Sequence, residues 1–468
     1  MRGQVLPRFL GFSAGGGAAV KVVLIGYRGT GKTTVGKMVA RRLSLPFLDT
    51  DALVEEMTGI SIPAIFANAG EAAFRSLERE VIAGLADFSG VIATGGGAVL
   101  DPENVRALRK GGTVVLLEAD PEEVITRIAG SDRPSLTGLQ PEEEVRALLR
   151  TRRPFYLAAA DICIRSGGQS PDVVADEIIA NLAGRPGPIS LPEGFALPSG
   201  ETERLAALGP ATGLYGIAGH PALHSRSPIL YNALFARFGM GAAYTFFDHP
   251  DFGAVLDTAR SLGVRGLSVT IPHKEAALAA ADEADRHAAA IGAANTLVLC
   301  GDHVRASNTD WIGVRRPLEG VAAERAVVLG AGGAAAAAVY ALLSLEYGVT
   351  VLARDAGKAE ALAARFGCES GAIRDIGSFR PEVVVHATPV GMAGDPRSLL
   401  APEDLRPGTT VFDLVYTPKE TLLLRTAAAR GCRTIPGTEM FVYQACEQFL
   451  HMTGIRVEDR AVREVLGE

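Results

Sequence analysis

Val20-Lys-Val-Val-Leu-Ile-Gly26-Tyr-Arg-Gly-Thr-Gly31-Lys32-Thr33-Thr34 sets the architecture of the first third of the chain. Its apolar run reads as a strand buried on both faces, and Gly31–Leu43 as the helix that follows. Between them, Gly26 to Thr33 satisfies G-x-x-x-x-G-K-[ST]. In such a turn the glycines let backbone N–H groups wrap phosphate oxygens. The lysine reaches the terminal phosphates, and the hydroxyl ligates Mg2+. Nucleotide contacts are therefore expected from Gly29, Thr30, Gly31, Lys32, Thr33 and Thr34, with Thr33 on the metal.

Outward from this turn, strand-like and helical stretches alternate. Strands are expected at residues 46–49, 90–97, 113–119 and 162–166, with helices at 65–85, 102–109 and 141–159. Such alternation predicts an α/β fold, a mainly parallel sheet covered on both faces. From Gly184 to Pro210, prolines interleaved with glycines suggest a semi-extended linker. A second α/β region follows, with strands suggested at 213–219, 266–272, 325–332, 349–354, 382–388 and 409–415. Residues 20–184 then form one domain and 185–211 the linker, which predicts two independent domains tethered at high effective concentration.

With 468 residues the chain has room for about three compact units. Lys+Arg 46 against Asp+Glu 53 gives a net charge of −7, which argues against general nucleic-acid binding. The longest apolar run, Ala334 to Leu345, is cut by Glu346 and is too short to span a bilayer. Five cysteines without a C-x-x-C pair argue against disulfides and structural zinc, and suggest the cytoplasm. Residues 1–19 read as a disordered leader. A homo-oligomer is compatible with all of this.

The first domain also carries chemistry beyond the phosphate turn. Asp49 and Asp51 lie two apart, on one face if the strand stays extended. Arg75 and Glu78 stand one helical turn apart, where the acid can orient the guanidinium. Gly95-Gly96-Gly97 allows close backbone approach, and Arg133 and Arg152 add cations. In this order, these motifs resemble shikimate kinase over residues 20–184, a P-loop domain. The resemblance implies that Lys32 and Thr33 hold ATP and Mg2+, with Asp49 reaching the metal through water. Asp51 would orient the acceptor hydroxyl and take its proton. Arg75 and Arg152 would clamp the substrate carboxylate, and Gly95, Gly96 and Gly97 would line the ring pocket. Arg133 would close with a lid on the transferring phosphate, and Arg127 would stack on adenine.

In the second half, Val327–Leu343 reads as strand, Gly330-Ala331-Gly332-Gly333-Ala334, then an alanine-rich helix. The next strand ends at Arg354 about 20 residues on, which suggests a Rossmann dinucleotide site. Arg354 and Lys358 favour the 2′-phosphate of NADP, whereas Asp355 favours NAD. Around this site lie Ser225-Arg-Ser227-Pro, Ser268-Val-Thr270-Ile-Pro-His-Lys274, Asn295-Thr and Ser307-Asn-Thr-Asp310. Asp413-Leu-Val-Tyr416 and Met440-Phe-Val-Tyr-Gln444 follow downstream.

Together these motifs resemble shikimate dehydrogenase over residues 212–464. The resemblance implies a substrate-binding lobe (212–318 and 438–464) and an NADP-binding Rossmann lobe (319–437). Ser225, Ser227 and Tyr416 would hold the substrate carboxylate, and Thr270, Asn295 and Gln444 the ring hydroxyls. Lys274 would exchange a proton with the reacting oxygen, its pKa lowered by a desolvated cleft, with Asp310 positioning both. Gly330 to Ala334, Arg354, Lys358 and Thr388 would bind the cofactor. His386 departs from the asparagine common in the family's N-A-T-P-x-G-M loop. His220 and His224 are four apart but, in a proline-containing loop without carboxylate partners, are not expected to bind metal.

The implied function is reduction of 3-dehydroshikimate to shikimate with NADPH, then phosphorylation of shikimate by Mg-ATP. Two alternatives stay open: an NAD-dependent quinate/shikimate dehydrogenase joined to the same kinase, and a ligand-sensing pseudoenzyme regulator.

Overall fold

The computed structural model describes residues 20–129, 137–184, 187–209, 212–392 and 395–468. The leader and Arg133 lie outside the described residues, as do four positions of the expected linker. Three sheets carry the described fold. The first contains β1 (Lys21–Ile25), β2 (Phe47–Asp49), β3 (Gly90–Ala93), β4 (Gly112–Glu118) and β5 (Ile162–Arg165), ordered β2-β3-β1-β4-β5. Every pairing in it is parallel. The second contains β6 (Gly213–Gly219), β7 (Ala242–Asp248), β8 (Val264–Val269), β9 (Glu283–Ala284), β10 (Thr296–Cys300) and β11 (His303–Ser307), ordered β7-β6-β8-β10-β11-β9. The third contains β12 (Arg325–Leu329), β13 (Gly348–Ala353), β14 (Glu369–Ala372), β15 (Val383–His386), β16 (Thr410–Asp413) and β17 (Arg433–Ile435).

The chain divides into two compact units. One comprises Met1–Leu267, Val298–His303 and Phe449–Arg456, the other Ser268–Leu297, Val304–Gln448 and Val457–Glu468. In the first unit β1 is buried at every position, because it is the central strand and both its faces are covered. β1 lies between β3 and β4: the chain leaves it for β2 on the β3 side and later crosses from β3 to β4 on the other, which opens a crevice at the carboxyl end of β1. The phosphate turn lies there.

In the second unit the third sheet runs β14-β13-β12-β15-β16-β17, all parallel. This is the doubly wound order of a dinucleotide-binding domain, with its crevice between β12 and β15. The helix Gly333–Leu343 packs its alanines into the core of this sheet, where small side chains let helix and strands approach closely.

Three expectations need correction. Residues 185–211 are not a bare spacer: they include the helix Glu201–Ala206. Ile189 and Leu205 are buried, Ala196 bridges Asp248, and Phe195 stacks on His249. Apolar side chains placed among the prolines had somewhere to go.

Nor are the two halves merely tethered. Arg109 and Asp161 of the first domain form a buried ion pair at 2.5 Å, and Arg265 on β8 meets the same carboxylate oxygen at 2.6 Å. Arg109 also donates to the carbonyls of Ala159 (2.8 Å) and Thr453 (3.2 Å), so its fork satisfies groups from both halves.

Finally, Cys163 on β5 and Cys300 on β10 form a disulfide with Cα atoms 5.7 Å apart, while Cys368, Cys432 and Cys446 remain thiols. The two partners are 137 residues apart, so no local spacing announces the pair. Cysteine arithmetic therefore carries no weight for the compartment. Among the described residues no helix is long and apolar enough to cross a membrane.

Asp161→Ala would leave two guanidinium groups without their counter-charge, one of them buried. The expected cost is about 3–5 kcal/mol. Arg165→Ala, which breaks the exposed pair with Asp120, should leave stability nearly unchanged. Denaturant unfolding of the two variants beside the parent checks that order.

Candidate active sites

The phosphate turn lines a cleft of about 830 Å³ shared with Asp49, Asp51, Arg127 and Ser166. Gly29 and Gly31 take positive φ, 83° and 94°, so the turn can aim its N–H groups inward. Lys32 is buried and donates to the carbonyls of Gly26 (2.8 Å) and Tyr27 (2.7 Å), which holds its ammonium at the mouth of the turn. Thr33 Oγ1 donates to Asp49 Oδ2 at 2.7 Å, bringing together two hard oxygen donors suited to Mg2+. Arg127 donates to the carbonyls of Gly29 and Ser166, both at 3.3 Å, and so stands beside the turn.

Asp49 and Asp51 do not share a strand face. The strand ends at Asp49, whose carboxylate caps the helix Thr50–Thr58 by accepting from Asp51 N at 3.0 Å. A capping aspartate stops a strand as readily as it starts a helix. Both acids still open onto the cleft.

A second hollow adjoins, lined by Asp51, Arg75, Glu78, Gly95 to Gly97 and Arg152. Strand β3 stops at Ala93 rather than continuing through the glycines, which turn into the short helix Ala98–Leu100. That turn removes the side chains that would obstruct the hollow. A Cβ on Gly97 would collide with the Arg75 guanidinium, and one on Gly95 would stand 2.6 Å from Asp51 Oδ1 and 2.7 Å from Glu78 Oε1. Arg75 donates to Glu78 at 2.8 Å, the orientation expected from their spacing. Burial pushes the Glu78 carboxyl up, the Arg75 charge opposes that, and Glu78 Oε1 has no hydrogen-bond partner. Tyr156 was not anticipated: its buried hydroxyl donates to the Gly96 carbonyl, and burial raises its phenol pKa. Arg152, also buried, reaches the same carbonyl at 3.5 Å. A helical i, i+4 relation joins the two residues.

In the second unit, Lys274 Nζ and Asp310 Oδ2 are 2.5 Å apart. Asn295 Nδ2 donates to Asp310 Oδ1 at 2.8 Å, so each carboxylate oxygen has its own partner. A Cβ on Gly333 would stand 3.5 Å from Lys274 Cδ, which places the lysine stem at the start of the dinucleotide helix. Gly332 faces open space, room for a pyrophosphate. Ala331 and Ala334 flank the two glycines. Arg354 and Lys358 are exposed just after β13. Asp355 turns away into a helix cap, accepting from Lys358 N at 3.1 Å. Thr388 sits against Gly330, whose Cβ would be 3.1 Å from its methyl group. Thr270 precedes the turn that starts the lysine's helix, its carbonyl accepting from His273 N at 2.9 Å.

Tyr416 packs on Phe441 with ring centroids 5.1 Å apart, and Gln444 donates to the Phe441 carbonyl at 3.2 Å. Gln448 was missed. It is buried, accepts from Ser268 Oγ at 2.6 Å, and donates to the Asn295 carbonyl and Thr296 Oγ1, both at 2.8 Å. Its position four residues after Gln444, on the same helix face, was the available signal. In the first unit, Ser225 and Ser227 are buried and hydrogen-bonded to each other at 3.1 Å. His220 does have a carboxylate partner, Asp248 at 2.8 Å, contrary to the expectation from its loop. Among the described residues no group of His, Cys, Asp and Glu assembles a metal site of three or more.

Sequence comparison finds three family matches along the chain. The shikimate kinase family matches residues 28–183, the shikimate dehydrogenase substrate binding domain 217–297, and the shikimate 5′-dehydrogenase C-terminal domain 437–466. The shikimate dehydrogenase (NADP(+)) of Moorella thermoacetica is 41% identical over 281 residues, spanning 55% of this chain and 95% of that relative. The chain belongs to the shikimate dehydrogenase family. Ahead of that part it carries a shikimate kinase domain, so one polypeptide joins a phosphotransferase to an oxidoreductase.

Among solved structures, the Thermus thermophilus shikimate 5-dehydrogenase in complex with NADP(H) and shikimate is 32% identical, with a TM-score of 0.51. It covers 54% of this chain and 98% of its own. The Corynebacterium glutamicum quinate dehydrogenase in complex with NAD matches at 32% identity and a TM-score of 0.51, covering 55% of this chain and 98% of its own.

Gly97→Ala forces Arg75 aside and should cut shikimate phosphorylation at least tenfold, about 1.4 kcal/mol or more of lost stabilisation, while dehydrogenase turnover stays unchanged. Gln448→Leu removes the acceptor that Ser268 Oγ meets and one of the two donors to the Asn295 carbonyl, loosening the segment that carries Asn295. Dehydrogenase kcat should fall about tenfold with kinase activity intact. Separate assays of the two activities on each variant check both.

Proposed function

We propose that this chain reduces 3-dehydroshikimate to shikimate with NADPH and then phosphorylates the 3-hydroxyl of shikimate with Mg-ATP. The observation that carries the reading is the Lys274–Asp310 pair, braced by Asn295 and lying beside Gly333. It sets a proton donor next to the helix start where a dinucleotide's phosphates belong.

In the dehydrogenase, NADPH held at the glycine turn would supply a hydride to the carbonyl carbon, and Lys274 delivers a proton to the carbonyl oxygen. Asp310 holds the lysine and the substrate hydroxyl in register. Thr270, Asn295 and Gln444 bind ring hydroxyls, and Ser225, Ser227 and Tyr416 bind the carboxylate. Gly330 to Ala334 and Thr388 receive the cofactor. Arg354 and Lys358 take its 2′-phosphate. Asp355 points one carboxylate oxygen into a helix cap, while Arg354 and Lys358 stand exposed beside it, and this pair of cations supports NADPH over NADH.

In the kinase, Asp51 accepts the proton of the 3-hydroxyl as its oxygen attacks the γ-phosphoryl group and ADP leaves. Arg75 and Arg152 hold the carboxylate of shikimate, a group that charge-assisted bonds recognise well. Gly95, Gly96 and Gly97 form the floor of the ring site. Gly29 to Thr34 cradle the phosphates, Lys32 steadies the terminal ones, Arg127 covers adenine, and Arg133 closes on the transferring group. Thr33 and Asp49 would hold Mg2+, which neutralises phosphate charge as it shifts toward the leaving oxygen. Catalysis here is positioning and electrostatics, so closely set cations matter more than any nucleophile. The product of the first reaction is the substrate of the second. We assign the chain to the cytoplasm, where both cosubstrates are abundant.

Mixing the purified chain with 3-dehydroshikimate, NADPH and Mg-ATP should yield shikimate 3-phosphate, with one NADP+ and one ADP per product. Accumulation of unphosphorylated shikimate would overturn the kinase half. A faster reaction with NADH than with NADPH would overturn the cofactor assignment.

A further inference from the structure

The buried histidine of the second unit has a larger role than its sequence position suggests. His386 ends β15, directly opposite Asp413 on β16 and beside Leu329 on β12. All three lie at the carboxyl edge of the sheet, where β12 gives way to the glycine turn. The imidazole is almost fully buried, with its side chain 2% exposed. Nδ1 lies 2.8 Å from Asp413 Oδ1, and Nε2 lies 2.6 Å from Thr388 Oγ1.

The proton positions follow from the partners. Asp413 is an acceptor in its other contacts, from Thr421 Oγ1 at 2.6 Å and Val415 N at 3.0 Å. Nδ1 therefore carries a hydrogen toward Asp413, and Nε2 meets the Thr388 hydroxyl, which can donate to it or accept from it. Thr388 Oγ1 already accepts from Val390 N at 3.3 Å, so its single hydroxyl hydrogen is available to Nε2. The chain of hydrogen bonds runs from Val390 through Thr388 and His386 to Asp413.

What this chain holds still is the floor of the dinucleotide turn. Ala387 N donates to the Leu329 carbonyl at 2.9 Å. The Ala387 carbonyl and the Thr388 methyl group approach Gly330 so closely that a Cβ there would stand 2.9 and 3.1 Å from them. A side chain reaching across two strands, hydrogen-bonded at both ends, pins that contact. The ring does this in one rigid plane.

We propose that His386 is a positioning residue for the nicotinamide cofactor, acting through Thr388 and oriented by Asp413. The proposal rests on the assignment of Gly330 to Ala334 and Thr388 to NADP(H). Nothing in it requires His386 to touch the cofactor or to change its charge.

The test is a double-mutant cycle on the full chain: His386→Leu, Thr388→Val and the pair together, with His386→Gln as the conservative variant. NADPH dissociation constants come from its fluorescence, and KM and kcat from steady-state rates in both substrates. His386→Leu should raise the NADPH dissociation constant and KM about tenfold, while KM for 3-dehydroshikimate moves less than about twofold. Thr388→Val should do the same, and the double variant should be no worse than the poorer single one. His386→Gln supplies a donor and an acceptor and should recover most of the loss.

Multiplying losses in the double variant would overturn the proposal, because the residues would then act separately. So would an unchanged NADPH constant in His386→Leu, or a loss that His386→Gln fails to recover. Kinase activity and the midpoint of heat inactivation serve as folding controls. A fall in that midpoint matching the loss of NADPH binding across all variants would assign His386 a purely structural role. If the parent chain itself binds no NADPH, the cofactor assignment fails, an outcome distinct from the variants behaving like a competent parent.

Discussion

Both halves of the protein depend on a strand that ends in a glycine pressed against its neighbour. Gly26 closes β1 with φ 136°, and Gly330 closes β12 with φ 125°. A Cβ on Gly26 would run into the Leu117 carbonyl on β4, and one on Gly330 would crowd the Ala387 carbonyl beyond β15. An L side chain has neither the backbone angle nor the space. Each glycine sits where the connections of a parallel sheet part, so the turn after it opens into a crevice instead of being covered. Lys32, Thr33, Gly332 and Gly333 owe their placement to those two turns.

From this constraint the sites grow differently. The hollow beside the phosphate turn is made by absence: Gly97 leaves room for the Arg75 guanidinium, and Gly95 lets the Asp51 and Glu78 carboxylates converge. The dehydrogenase pair is made by presence. Asn295, Gln448 and Ser268 form a buried lattice of hydrogen bonds that leaves Asp310 one orientation in which to meet Lys274. A fully satisfied buried network can hold such a geometry, whereas a partly satisfied one would cost stability. His386 and Asp413 apply the same device to the cofactor turn.

The seam within the first unit obeys different physics. Arg109 is buried yet keeps its charge partner, and its remaining donors meet carbonyls. Such a cluster adds little net stability over an apolar one but demands a single alignment, since any other leaves charges unpaired. Phe195, Ile189 and Leu205 pack the segment that joins the halves, which explains why a proline-rich stretch did not behave as a free tether.

Contiguous motifs were legible because their chemistry is local. The glycine turns after β1 and β12 and the Arg75–Glu78 pairing are each set by residues a few positions apart. Helix ends were legible at Pro102–Arg109 and Pro141–Ala159, where proline at the first turn marks the start. Asp51 was misplaced because a cap at Asp49 ends the strand, and capping competes with extension residue by residue. The sequence by itself determined which two chemistries the chain carries, since phosphate and hydride transfer both need particular groups at fixed short spacings. Only the tertiary structure decided that Arg109 meets Asp161 and Arg265, that Cys163 meets Cys300, that Gln448 braces Asn295, and that His386 spans Thr388 and Asp413. The Arg109 cluster, the disulfide and the Gln448 brace join residues tens to hundreds of positions apart. In the last, neighbouring strands bring Asp413 to His386. Packing, not periodicity, chooses such partners.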